Sequence, residues 1–290
     1  MGLFDKFFKD KRADIELRFL RIRSSVSGTM SNFYVAKDHD RNDQIVGVKL
    51  CDPEKVDFFE SRFRGLNKPS EGEIAVSMKH PNVVTTYEYG MSTKGLPYLV
   101  MEFVDGPGLQ QLIQNRAENL LQGHRMSLIR QMAEALNYVH RVGYIHRDIC
   151  PRNFICSQDM TTVKLIDFGL SVPAKKEFMQ PGNRTGTPLY MAPEVVRRRT
   201  TDHRLDIFSF GVTCYQMVCF EHPWPGTETS GLAALHHDTS PPAEILKFRS
   251  DTPPLLASAI MQALQANPMQ RTPDMETFLK QIKPVKADDL

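Results

Sequence analysis

The chain has 290 residues, a formal net charge of +2 and five cysteines. That length carries one large domain or two lobes and buries a sizeable core, while a near-neutral charge without a long basic block excludes a strong nucleic-acid binder. Cys51, Cys150, Cys156, Cys214 and Cys219 form no CxxC pair and leave an odd count. They read as reduced thiols of a cytoplasmic protein rather than a disulfide framework or a zinc site.

At the N-terminus, Asp5, Lys6, Lys9 and Asp10 break any secretory apolar region, and Lys6 stands where a myristoylation signal needs Ser or Thr. Leu3, Phe4, Phe7 and Phe8 fall on one helical face with Lys6, Lys9, Lys11 and Arg12 around them, so residues 1–17 read as an amphipathic segment. Two uses stay open: a short helix covering part of the domain, or a weak membrane-surface or partner contact through residues 1–13. Strand-like runs follow at Phe33–Ala36 and Ile45–Leu50 across a polar turn, then a helix near 69–79 and strands ending in Tyr98–Phe103. Asp105-Gly106-Pro107-Gly108 is the strongest break and reads as a hinge. It separates a strand-rich part, about 18–104, from a helical part, about 105–283. Helical periodicity covers Met126–His140, Leu205–Phe220 and Leu255–Leu264. The most apolar run, Phe210–Phe220, falls short of the roughly 18 residues of a membrane span and reads as a buried helix. Residues 284–290 read as a frayed tail.

Three motifs arrive in order: His146-Arg147-Asp148 with Asn153 five residues after the Asp, Asp167-Phe168-Gly169 after an apolar strand, and Gly186-Thr187-Pro188-Leu189-Tyr190-Met191-Ala192-Pro193-Glu194. Phosphoryl transfer needs a held triphosphate, a metal, an aligned hydroxyl and a nearby base, and this set offers candidates for each. Any one motif alone is weak: an Asp-x-Gly is ordinarily just a turn. As a set, with these spacings, the chain resembles the eukaryotic-type (Hanks-type) Ser/Thr protein kinases over about residues 18–283, in a bacterial style.

The resemblance implies an α+β, two-lobed protein kinase fold, with an antiparallel sheet and one main helix in the first lobe and a mainly helical second lobe. It implies ATP and Mg²⁺ (or Mn²⁺), a protein substrate and no nucleic acid. Asp148 would address the substrate hydroxyl, and Asn153 and Asp167 would hold the metal. Lys49 would reach the α- and β-phosphates, paired with Glu71, or failing that Glu73. Val26, Gly28 and Phe33 would cover the nucleotide, with Met101 as gatekeeper and the backbone of Glu102 and Val104 meeting adenine. Thr187 belongs to the substrate loop, and Arg271 would pair with Glu194. Arg147 invites a phosphorylated partner in the segment between Gly169 and Gly186, whose hydroxyl residues are Ser171 and Thr185. Thr185 is the better placed.

The chain departs from the family's pattern in three places. The glycine-rich positions fall on Val26, Gly28 and Ser31, so two of three glycines are absent. Cys150 stands where Ser/Thr kinases carry a Lys, and Arg152 is the cation that could replace it. Ala75 and Thr86 suggest a loosely packed column behind the helix that carries Glu71. The damaged glycine loop and the missing Lys favour a pseudokinase or scaffold as the alternative. Retention of Lys49, Glu71, Asp148, Asn153 and Asp167 favours catalysis.

Overall fold

The computed structural model describes residues 12–27, 31–182, 184–224, 233–287 and 289–290. Leu3, Phe4, Phe7, Phe8 and Gly28 therefore lie outside the described residues. The chain divides into two compact units: the residues up to Lys79 with Val84–Phe103, and His80–Val83 with Val104–Leu290.

The first unit is built on an antiparallel sheet in the order β1-β2-β3-β5-β4, made of β1 (Phe19–Ser27), β2 (Ser31–Asp38), β3 (Gln44–Cys51), β4 (Thr86–Met91) and β5 (Pro97–Glu102). Alternation decides the two faces. Tyr34, Ala36, Val46, Val48, Tyr98 and Val100 bury one face against Ile15 and Phe19. The register sets Phe33 opposite Lys49, Lys49 opposite Leu99 and Gly47 opposite Met101, so these five share the other face. A short α1 (Ile15–Arg18), capped by Asp14, lays Ile15 on the core.

Arg18 at the end of α1 clamps both oxygens of Asp38, each at 2.8 Å, and reaches Glu88 at 2.6 Å. Arg41 joins the same two carboxylates at 3.3 and 3.0 Å. Asp38 is wholly buried, and a buried charge is tolerable only when paired. The sequence reading contains no hint of this network.

Beside the expected helix, the unit holds a further one. The unit carries α2 (Pro53–Glu60), whose N-terminus Asp52 caps through the N–H groups of Glu54 and Lys55, with Pro53 in the first turn. The helix expected at 69–79 is shorter, α3 (Glu71–Ser77), closed by a reciprocal capping box between Ser70 and Glu73. Glu73 is thus a cap rather than a partner for Lys49. Gly72 lets α3 lie directly on β4, since a Cβ there would come within 2.3 Å of the Tyr89 ring.

The second unit contains α4 (Leu109–Gln114), α5 (Glu118–Leu121), α6 (Arg125–Arg141), β6 (Tyr144–Ile145), β7 (Phe154–Cys156), β8 (Val163–Leu165), β9 (Val172–Pro173), α7 (Pro193–Val196), α8 (Arg204–Cys219), α9 (Ile245–Phe248), α10 (Pro254–Ala263) and α11 (Met275–Ile282). Residues 80–83 belong to it because Asn82 donates to Val163 O at 3.0 Å and accepts from Leu165 N at 2.8 Å. Helix α8 is buried at almost every position, as its apolar run demands. Arg271 and Glu194 form a buried bidentate pair at 2.7 and 3.0 Å.

The expected frayed tail is corrected too. Val285 and Leu290 are buried, Gly123 N donates to Leu290 O at 3.1 Å, and Arg130 donates to Val285 O. Periodicity gives no signal for so short a docked segment. Among the described residues, no helix is long and apolar enough to cross a membrane.

Removing the Arg18 clamp leaves the buried Asp38 with Arg41 as its charged partner and the Asp40 N–H as its remaining hydrogen bond. Arg18→Ala is therefore expected to lose about 3 kcal/mol of stability in urea unfolding. Arg18→Lys recovers only part of this, because an ammonium cannot reproduce the bidentate fork.

Candidate active site

In the first unit, Lys49 Nζ meets Glu71 Oε1 at 2.5 Å, with both side chains largely buried. The Cys51 thiol approaches the other carboxylate oxygen at 3.8 Å. Nothing in the sequence pointed to Cys51, although β3 alternation puts residues 49 and 51 on one face. The Phe33 ring packs over Gly47 beside Met101. Glu102 gives its N–H to Thr85 O and accepts Thr85 N–H on its carboxylate, which ties it to the start of β4. Val26 pairs with Phe33 in the β1–β2 ladder. Val104 is the first residue after β5 assigned to the second unit. Thr86 and Ala75 are both buried.

In the second unit, the loop between β6 and β7 is organised from below by α8. Asp206 is fully buried and accepts His146 N at 2.8 Å, Arg147 N at 2.8 Å and His140 Nε2 at 2.9 Å. Burial alone would raise its pKa, but these partners hold the carboxyl below its usual range. Arg147 consequently takes a left-handed backbone, φ 70°. The resemblance to the kinase family implies this role, since Asp206–Gly211 looks like the buried helix that braces the catalytic loop.

Half-buried Asp148 follows. Its Oδ1 accepts both the N–H and the hydroxyl of Thr187, at 2.9 and 2.7 Å. Asn153 Nδ2 donates to Asp148 O at 2.7 Å and Oδ2 at 3.2 Å. Arg152 donates to Thr187 Oγ1 at 2.8 Å, so the hydroxyl accepts from a guanidinium and gives its proton to a carboxylate. Cys150 lies beneath, its sulfur 3.8 Å from the same hydroxyl. The structure thus brings Asp148, Asn153, Arg152 and Thr187 together from segments 39 positions apart.

Gly186 makes this approach possible. Its φ is +120°, and a Cβ there would stand 2.7 Å from Arg147 O. Asp167, just past β8, is also left-handed at φ 66°, with Oδ1 accepting Gly169 N at 2.9 Å. The Phe168 ring packs edge-on against His146 at 5.4 Å. Thr185 is half-buried beside Gly186. Ser171 corrects an expectation: it is fully buried and its hydroxyl faces His146 O at 3.4 Å, so it is no accessible phosphorylation site. Its place just before β9, which pairs with β6, explains why.

No cluster of three or more His, Cys, Asp or Glu side chains suited to a metal is found among the described residues. The oxygen donors on offer are the Asp167 carboxylate and the Asn153 amide oxygen, whose nitrogen is committed to Asp148. Such a sparse, hard-oxygen set fits a cation that keeps water and phosphate in most of its shell, as Mg²⁺ does.

With this geometry in view, the comparisons place the chain. Residues 26–282 match the protein kinase domain model, and the chain belongs to that family. It is 31% identical over 253 residues to the serine/threonine-protein kinase PknB of Mycolicibacterium smegmatis, covering 84% of this chain and 39% of that protein. It is 30% identical over 228 residues to the serine/threonine-protein kinase pkn3 of Myxococcus xanthus, covering 75% and 41%. The chain thus spans about two fifths of the length of these relatives. The crystal structure of the PknI kinase domain of Mycobacterium tuberculosis aligns with a TM-score of 0.66 at 23% identity, over 92% of this chain and 94% of that one, which shows the shared two-lobed fold. The family implies ATP and a divalent metal.

Burial, with Asp148 adding its charge, pushes the Cys150 thiol up to about 11. Cys150 is expected to stay silent to a disulfide reagent such as DTNB in native protein at pH 8. A fast-reacting Cys150 located by peptide mapping would contradict the buried, protonated thiol.

Proposed function

We propose that the chain is a Ser/Thr protein kinase that moves the γ-phosphate of ATP onto protein Ser and Thr hydroxyls, and that it acts in the cytoplasm. The observation that carries this reading is the hydrogen-bonded set on Asp148, with Thr187 on one carboxylate oxygen and Asn153 on the other. A carboxylate fixed at both oxygens is aimed rather than free to rotate. In this reading Asp148 takes the proton of the incoming hydroxyl as it attacks phosphorus. Thr187, held on the catalytic Asp, favours Ser/Thr over Tyr acceptors.

Lys49, oriented by Glu71, would bind the α- and β-phosphates. Phe33, Met101, Glu102, Val104 and the segment around Val26 and Gly28 would hold the nucleotide. A bound Mg²⁺ would neutralise charge developing on the phosphates, and Asp167 and Asn153 would hold it. Cys150 cannot supply the cation that the family's Lys supplies at its position. Arg152, already hydrogen-bonded to Thr187, would provide positive charge to the transferring phosphoryl group. Residues 18–283 would form the kinase domain. Residues 1–13 would make a weak membrane-surface or partner contact.

Radiolabelled ATP with Mg²⁺ tests the reading. Label is expected on phosphoserine or phosphothreonine in the native chain and to fall by roughly 10²–10⁴ in Asp148→Asn, the usual range for a general base. Label that persisted undiminished in Asp148→Asn would remove Asp148 from its role. Arg152→Ala is expected to lower kcat about tenfold or more, and an unchanged kcat would return Arg152 to a solvent-facing side chain. Autophosphorylation is expected to map to Thr185, and a phosphosite map of active protein without it would rule that site out.

A further inference from the structure

The segment that follows Thr187 is held in an unusual way. Three consecutive backbone carbonyls each accept a hydrogen bond from a side chain of the second unit. Leu189 O receives His222 Nε2 at 3.1 Å, Tyr190 O receives Ser209 Oγ at 2.7 Å, and Met191 O receives His237 Nδ1 at 2.8 Å. Carbonyls only accept, so both imidazoles must donate. For His222 this fixes the tautomer, because its Nδ1 accepts Trp224 N–H at 3.3 Å while Nε2 carries the proton.

Both histidines are buried, each 1% exposed. Their rings form one cluster with the indole: Trp224 stacks on His237 at 4.3 Å, and His222 lies tilted against both, 5.9 Å from Trp224 and 6.0 Å from His237. Phe208 of α8 closes the far side, 5.4 Å from His237. The stack is itself anchored, since Trp224 Nε1 donates to Ser240 O at 2.9 Å. Next to His237, Asp238 is neutralised by Arg197 at 2.8 Å. The charged or titratable groups around His237 are thus His222, His236, Asp238 and Arg197. Burial outweighs them and holds the His237 pKa down to about 4, which keeps a neutral ring with a single N–H at physiological pH.

We propose that His222 and His237 are positioning residues that clamp the Leu189–Met191 carbonyls and through them hold Thr187 on Asp148. The path is short. Tyr190 N donates to Thr187 O at 2.9 Å and Met191 N to Pro188 O at 3.2 Å, so the turn that the histidines grip is the turn that ends in Thr187. A shift of that turn moves the hydroxyl that fixes Asp148 Oδ1. The functional consequence rests on the kinase reading above; the clamp itself does not.

Four variants and hydrogen exchange separate the possibilities. Asn places an amide N–H near the imidazole Nδ1 position, and Gln near Nε2. His237→Asn and His222→Gln therefore keep the donor, and His237→Leu and His222→Leu remove it. Amide exchange at Thr187, Tyr190 and Met191 is expected to quicken about tenfold in each Leu variant, the effect of one net hydrogen bond, and to return toward wild type in His237→Asn and His222→Gln. Phosphoryl transfer to a protein substrate is expected to follow the same order, with kcat/KM for the protein falling while KM for ATP holds. Exchange in the Leu variants equal to wild type, or equally fast in Leu and amide variants, overturns the clamp. In wild-type protein, imidazole nitrogen spectra must show Nδ1–H for His237 and Nε2–H for His222, and the opposite tautomers overturn it even if a Leu variant fails to fold. A wild-type chain without transfer activity sinks the kinase reading, and exchange still decides the clamp.

Discussion

Asp206 is the constraint on which the arrangement of the second unit depends. A lone buried carboxylate costs several kcal/mol, and this one has no access to water. Its partners are the two backbone N–H groups of His146 and Arg147 and the ring of His140. The loop can relax only by abandoning that carboxylate. The left-handed backbone at Arg147 costs about 1–2 kcal/mol, less than the penalty of orphaning Asp206, so the strained conformation wins. Because α8 is buried at almost every position, its Asp cannot move toward solvent instead.

What that rigid base supports is a junction at Thr187. One hydroxyl there links Arg152, Asp148 and Cys150. Hydrogen bonds to a carboxylate run about twice as strong as neutral ones, so the Thr187–Asp148 contact dominates the junction and the sulfur contact is secondary. Arg152 also neighbours the Cys150 thiol, so cation and thiol share this junction. The substitution that looks like damage in the sequence is thus accompanied by a cation bonded to the same hydroxyl. In the first unit, Lys49 and Glu71 depend on a different device: Gly72 brings α3 onto β4, and the Ser70–Glu73 box fixes where the helix begins.

Much of this was legible in the sequence because the chemistry-bearing residues lie in short, ordered motifs. The residue types and spacings of His146–Asn153, Asp167–Gly169 and Gly186–Glu194 led to the kinase family and fold, and the resemblance put Glu71 ahead of Glu73 as the partner of Lys49. β-rich runs marked strands at Phe33–Ala36, Ile45–Leu50 and up to Phe103, and the resemblance implied their antiparallel sheet. What stayed hidden is what local pattern cannot encode. The Arg18–Asp38–Glu88–Arg41 network joins residues as much as 70 positions apart. The helix α2 carried a legible signal in Asp52-Pro53-Glu54, but its weak amphipathicity masked it. Ser171 was offered as a modification site because hydroxyl count ignores burial, and residues 284–290 as a frayed tail because two apolar side chains make no period. The clamp on Leu189–Met191 comes from side chains up to 46 positions away that are each unremarkable alone.

The central claim is that the buried Asp206 sets the catalytic loop, and through it the aim of Asp148. The direct measurement is single-turnover phosphoryl transfer by Asp206→Asn, with thermal unfolding followed in parallel. An amide accepts on one atom but turns an N–H toward a backbone donor, so the loop loses one of its two anchors while the side-chain volume is kept. The account predicts a transfer rate lowered by about 10²-fold, the cost of a misplaced reacting group, in a chain that still folds. Transfer at the wild-type rate in folded Asp206→Asn would contradict it.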